Sequence, residues 1–239
     1  EAVTEAVTYA GDETRNRRVT RIQEGGDWAG ALMAQVSRVL REGGDWCDVV
    51  KAQTLAALIL GLRPHLVCEI GVRTGGSMIP MMLALRAVED LEIATHGLAA
   101  PRRGVAIDAW SAPASCAGQE GADHAWWGAQ SHEDAKQTFL ARLARLGLLT
   151  LCSVVHATSD DAPVPDLIGL LHLDGNHGAQ AVRDVERFGP HVKVGGLLVL
   201  DDLAWAGGHV SRARDRAVDL GFRGLFPLGT GIVLQRVHD

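Results

Sequence analysis

With 239 residues the chain is long enough for one α/β domain with a sizeable core, and short for two. Hydrophobic residues at 47% and charged residues at 22% are ordinary for a globular protein, and no apolar run approaches the roughly 20 residues of a membrane span. A formal charge of −6 argues against a general nucleic-acid binder, which meets phosphates with clustered Lys and Arg.

Residues 1–25 are polar, carry Arg15, Arg17, Arg18 and Arg21, and read as a loose N-terminal arm or partner-contacting segment, with a solvated terminal helix as the alternative. Residues 26–64 predict a helical cap. Trp28, Leu32, Val36 and Leu40 fall near helical spacing, and a second helix over 49–62 ends at Gly61 and Pro64. From 65 to 239 the rhythm becomes that of alternating strands and helices. Strands are predicted at 66–71, 104–108, 150–156, 170–174 and 196–201, with helices at 78–88, 133–146, 179–188 and 211–220 between and after them. Residues 89–103 and 111–131 read as loops. Two last strands, 222–227 and 231–236, face each other across Gly229 and Thr230 as an antiparallel pair. The alternation predicts an α/β, doubly wound, mostly parallel seven-stranded sheet with an antiparallel C-terminal strand.

Cys47, Cys68, Cys116 and Cys152 form no C-x-x-C pair and read as buried reduced thiols. The first residues lack the basic-then-apolar order of a secretory signal, so a cytoplasmic protein is expected.

Ligands of parallel sheets bind beyond the carboxyl ends of the strands. Here those ends carry Glu69-Ile70-Gly71, Asp108, Asp174 and Asp201-Asp202. The turn after the first strand runs Glu69-Ile70-Gly71-Val72-Arg73-Thr74-Gly75-Gly76-Ser77. Glycine allows tight turns and close backbone approach, but this spacing lacks the G-x-G-x-x-G of a dinucleotide site, which disfavours a nicotinamide dehydrogenase. Trp110 stands beside Asp108 and is either a packed ring or a platform for an adenine. Asp174-Gly175-Asn176-His177 and Asp201-Asp202 bring three carboxylates to adjacent strand ends. Like charges so placed repel, and a hard cation relieves them; oxygen ligands suit Mg²⁺, Mn²⁺ or Ca²⁺. His177, three residues past Asp174, suits a general base acting on a hydroxyl that the cation acidifies.

The turn at Glu69–Ser77 resembles the first motif of class I methyltransferases, in which the acid and glycine loop hold S-adenosylmethionine (SAM). That resemblance implies a Rossmann-like methyltransferase domain over 65–239. It implies cofactor contacts at Glu69, Gly71, Gly75, Ser77 and Asp174, ribose bonding at Asp108, and adenine contacts at Ser159 and Asp160, with Trp110 the adjoining candidate for stacking. The stretches Leu171–His177, Ala181–Asp184 and Gly195–Asp202 are similar to the metal-dependent sugar O-methyltransferases of macrolide antibiotic pathways and a related cephalosporin-pathway protein. By that resemblance Asp174, Asp201 and Asp202 ligate Mg²⁺ and His177 is the base. The relatives carry Glu where this chain has Asp201. Catechol O-methyltransferases share the plan with a Lys as base.

The expected activity is therefore Mg²⁺-dependent O-methylation of a small natural product, sugar-bearing or catechol-like. His124, Trp126, Trp127 and Trp205 are substrate candidates, the first three on a lid-like loop. A homo-oligomer is expected, with neither nucleic acid nor membrane as partner. Metal-independent N-methylation and a non-catalytic partner of a biosynthetic enzyme are the alternatives.

Overall fold

A computed structural model describes residues 13–43, 46–205 and 207–238. The chain starts there with α1 (Glu13–Gln23), where a loose arm is expected. The difference is electrostatic. Asp90 is almost wholly buried, and Arg15 and Arg18 reach it at 3.1 and 2.5 Å, with Arg15 also 2.6 Å from Glu89. A buried carboxylate left unpaired is costly, so these two arginines hold α1 down. Helix α4 (Met78–His96) runs well beyond residue 88 and closes at Gly97, whose φ is 78° and whose N–H donates to the Ile93 carbonyl. Residues 1–12 of the predicted arm lie outside the described residues.

Next come α2 (Trp28–Gly43) and α3 (Val49–Leu62). The first buries Leu32, Val36, Val39 and Leu40, the stripe read from their spacing. Asp48 caps α3 by accepting a 2.8 Å hydrogen bond from the Lys51 backbone N–H. Arg63, at φ 48°, closes the helix and donates to the Ile59 carbonyl.

The strands follow: β1 (Leu66–Ile70), β2 (Arg103–Asp108), β3 (Cys152–His156), β4 (Ile168–Leu173), β5 (Val192–Leu200), β6 (Phe222–Leu228) and β7 (Gly231–Arg236). Their order in the sheet is β3-β2-β1-β4-β5-β7-β6. The first five are parallel, and β7 runs antiparallel between β5 and β6. Helices α7 (His132–Arg145), α8 (Gln180–Phe188) and α9 (His209–Asp219) complete the winding. One core holds α2, α3, α4 and α7 against one sheet face; the other holds α8 and α9 against the opposite face. Every side chain of β1 and β4 is buried, which is why both read as unbroken apolar runs.

The predicted 111–131 loop instead contains α5 (Ala112–Cys116) and α6 (Gly121–Gly128). Both are short and bury no residue, so they left little apolar periodicity to read.

Register positions the site. Ile70 pairs with Ile107 on one side and Leu173 on the other, and Leu173 pairs with Leu200. Gly71, Asp108, Asp174 and Asp201 therefore leave the sheet along one rim. The chain winds outward from β1 to β3, then returns to β4, so the crevice opens between β1 and β4. There the Gly71 position has no room for a Cβ, which would strike the Asp174 carbonyl, and its φ of 88° favours glycine.

Candidate active site

A cavity of about 1050 Å³ lies over this rim, large enough for two small molecules side by side. Gly71, Ser77, Asp108, Trp110, Ser159, Asp160 and Asp174 all line it. Glu69 and Gly75 do not. Glu69 is fully buried below the wall, where Oε1 accepts from the Ser77 hydroxyl and faces His172 Nδ1 at 2.7 Å. Strand alternation turns this side chain off the rim, where it supports Ser77 from below the cavity wall. A Cβ at Gly75 would meet the Phe139 ring at 2.5 Å; that glycine serves packing of the loop on α7.

Asp108 is held by backbone donors, with Arg73 N–H at 2.8 Å and Trp110 N–H at 2.6 Å. Burial pushes its carboxyl up, against the pull of these hydrogen bonds. Trp110 is 6% exposed, stacks on Phe139 at 6.0 Å and donates its indole N–H to the Arg73 carbonyl at 2.9 Å. It is thus a packed ring with an edge in the cavity wall. Across the cavity, Gln180 gathers Ser159, Asp160 and Asp184 at 3.0, 2.9 and 2.8 Å. Burial pushes the Asp184 carboxyl up to about 6. Asp184 had a legible signal, an acid within the apolar stripe Ala181, Val185, Phe188 of α8.

The acid centre contains a residue that sequence reasoning passed over. Lys51, on α3, is 6% exposed and pairs with Asp201 and, at 3.3 Å, with Asp174. Burial opposes its charge, but Asp174 and the neighbouring acids hold its pKa above the ordinary lysine value. Burial likewise works against the Asp174 carboxylate, yet Lys51 and the histidines keep it well below the usual range. Lys51 does have a sequence signal. It falls in register with Leu55 and Ile59, a cation on the buried stripe of an apolar helix.

Asp201 is the innermost acid, its side chain 8% exposed against 27% for Asp174 and 32% for Asp202. Asp202 takes φ 50°, and that turn separates the two adjacent acids. Thr230, at the β6–β7 turn, faces both, 3.1 Å from Asp201 Oδ1 and 2.8 Å from Asp202 Oδ1. His177 Nε2 is buried without a hydrogen-bond partner, 3.7 Å from Asp174 Oδ1 and 3.6 Å from Asp202 Oδ2. Trp205 packs on its ring at 4.8 Å and lines the cavity.

At the mouth, Trp126 and Trp127 sit on α6, where a loop is expected, with ring centroids 4.9 Å apart. Trp46, ahead of α3, joins them at 4.9 and 5.9 Å. The Arg73 guanidinium lies 3.5 Å from the Trp46 ring centre. His124, on the same helix, is exposed and stands outside the cavity wall. The four cysteines are unpaired, and burial pushes the Cys47 and Cys152 thiols up to about 12.

The fold and the cavity at its switch point define a class, the Rossmann-like methyltransferase enzymes. The chain belongs to the methyltransferase-domain family, whose pattern matches residues 68–203. Among solved structures it is similar to the O-methyltransferase NovP, at 19% identity and a TM-score of 0.61, covering 84% of this chain and 88% of that one. It is similar to the O-methyltransferase TomG from Streptomyces achromogenes, at 16% identity and a TM-score of 0.56, covering 87% and 90%. A Klebsiella pneumoniae structure described as a putative O-methyltransferase matches at 16% and 0.55, with the same coverage. No curated protein is significantly similar in sequence. No helix among the described residues is long and apolar enough to cross a membrane.

Proposed function

We propose that this enzyme transfers the methyl group of SAM to a hydroxyl of a small natural product, with His177 as general base and Mg²⁺ at the acid centre. The observation that carries the reading is His177 Nε2. It is a buried ring nitrogen without a partner, in the cavity and beside two carboxylates. Buried polar atoms are nearly always satisfied, so an orphan of this kind points to a proton or ligand that arrives with the substrate.

SAM fits the half of the cavity walled by Gly71, Ser77, Asp108 and Trp110. The TomG structure was solved with SAM, and an O-methyltransferase from Bacillus cereus with SAH. A divalent ion fits the other half, where Asp174 and Asp202 bring carboxylate oxygens together beside His177, whose Nε2 is kept for the proton. When bound, such an ion supplies positive charge that favours the anionic form of an acceptor oxygen. The residues do the rest. His177 Nε2 takes the acceptor's hydroxyl proton. The oxygen lone pair forms a bond to the methyl carbon as the carbon–sulfur bond breaks, and its electrons return to sulfur. Trp205 holds the imidazole ring from the side. Trp46, Trp126 and Trp127 offer apolar faces that suit an aromatic ring or the C–H face of a sugar.

The test is methyl transfer from labelled SAM to a panel of hydroxylated aromatics and glycosides, with and without excess chelator. His177→Ala should retain SAM binding and lose turnover. Full activity in chelator would remove the metal from the reading. Turnover only on amines would replace O- with N-methylation.

A further inference from the structure

Among the expected ligands, Asp201 is the one whose surroundings disagree with the role. We propose that Lys51 is a built-in cation of the acid centre. It takes Asp201 out of the ion's ligand set and leaves Asp174 and Asp202 to hold one divalent ion beside His177. The proposal rests on the metal reading above.

Asp201 has both oxygens engaged. Oδ2 pairs with Lys51, while Oδ1 accepts from the Asp202 backbone N–H at 3.0 Å and faces the Thr230 hydroxyl at 3.1 Å. Asp174 divides its oxygens, Oδ2 toward Lys51 and Oδ1 toward His177. Asp202 Oδ2 also faces His177.

Two overlapping groups of ligand atoms share Asp174. The inner one is His172, Asp174 and Asp201; the outer one is Asp174, His177 and Asp202. His172 Nε2 is fully buried and has no hydrogen-bond partner, so the inner group has the makings of a cation site. The Lys51 ammonium already contacts both inner acids. An ion there would set two positive charges against a third at contact distance, in a region where water screens weakly.

Charge points the same way. Three carboxylates less one ammonium leave minus two, which one divalent ion neutralises. Lys51 is therefore a positioning residue. It orients Asp174 through one oxygen and sets both the number of ions and where they sit. Because Lys51 belongs to α3, the cap completes the reaction centre and is more than a cover over it.

The test is Mn²⁺ titration of the full chain, read by the electron paramagnetic signal of free Mn²⁺, without SAM or acceptor. Asp202→Asn should weaken binding about tenfold or more, because it removes the negative charge of a ligand. The double variant Lys51→Met with Asp201→Asn removes the pair as a neutral unit and should bind within about threefold of the wild type. Lys51→Met alone frees the inner acids and should bind at least about tenfold tighter.

A double variant that loses as much as Asp202→Asn would show Asp201 to be a ligand and overturn the proposal while the metal reading stands. So would a folded Lys51→Met that binds no tighter than the wild type. If Lys51→Met does not fold, the double variant and Asp202→Asn decide between them. No Mn²⁺ on the wild type would end the metal reading and this proposal together.

Discussion

The two halves of the cavity hold their carboxylates in opposite ways. On the β1–β2 side, Asp108 is satisfied by two backbone N–H groups, and burial keeps its carboxyl above the ordinary value. On the β4–β5 side, Asp174 faces a lysine ammonium and is held below it. Dipoles from the backbone orient a carboxylate without cancelling its charge, which suits hydrogen bonding to hydroxyls of a ligand. A full cation cancels charge, which makes a dense cluster of acids tolerable before any ligand arrives.

The largest effect expected from breaking this contrast is at His177. His177→Ala should lower kcat by about 10²- to 10⁴-fold, the usual contribution of a general base, with SAM affinity measured by calorimetry unchanged. An equal loss of SAM affinity would place His177 in the cofactor half.

Lys51→Ala should destabilise the fold by about 3–5 kcal/mol in chemical denaturation, since it leaves buried acids uncompensated. Added Mn²⁺ should restore more melting temperature to this variant than to the wild type. Loss without such rescue would mean that Lys51 serves packing of the cap alone.

Asp184 sharpens the comparison with pH. Its carboxyl sits near 6 in the folded protein against 3.8 ordinarily. A raised acid favours the fold while protonated, so this contribution is fully present below about pH 4 and is lost as pH rises through about 6. Asp184→Asn should therefore raise stability at pH 8, by at most about 3 kcal/mol, and do little at pH 4. A variant less stable at pH 8 than the wild type would show that the charged form is needed.

The smallest effect is at the mouth. Trp46→Ala should raise KM for the acceptor about fivefold with little change in kcat, because stacking contributes about 1 kcal/mol. A change in the KM for SAM instead would move Trp46 to the cofactor half.

Much of this was legible in the chain. The alternation of strands and helices, the rim of acids and the glycine turn follow from periodicity and from residue types that only one backbone geometry accommodates, as at Gly71. Asp174, His177 and Asp202 meet because their strands are neighbours, and neighbouring strands were implied by alternation. The docking of α1 was not legible, because its partners Glu89 and Asp90 lie more than 70 residues away. Glu69 lies below the cavity wall, a placement the motif does not reveal, because it puts the residue at the strand end but not the face its side chain takes.

What the sequence by itself determined is local: where strands end, where helices begin, and which acids gather at the rim. Only the tertiary structure decided how those acids are neutralised. Lys51 is 123 residues from Asp174 and 150 from Asp201. Periodicity marks a lysine on a buried stripe, but the charge it answers is settled only when α3 packs over the sheet.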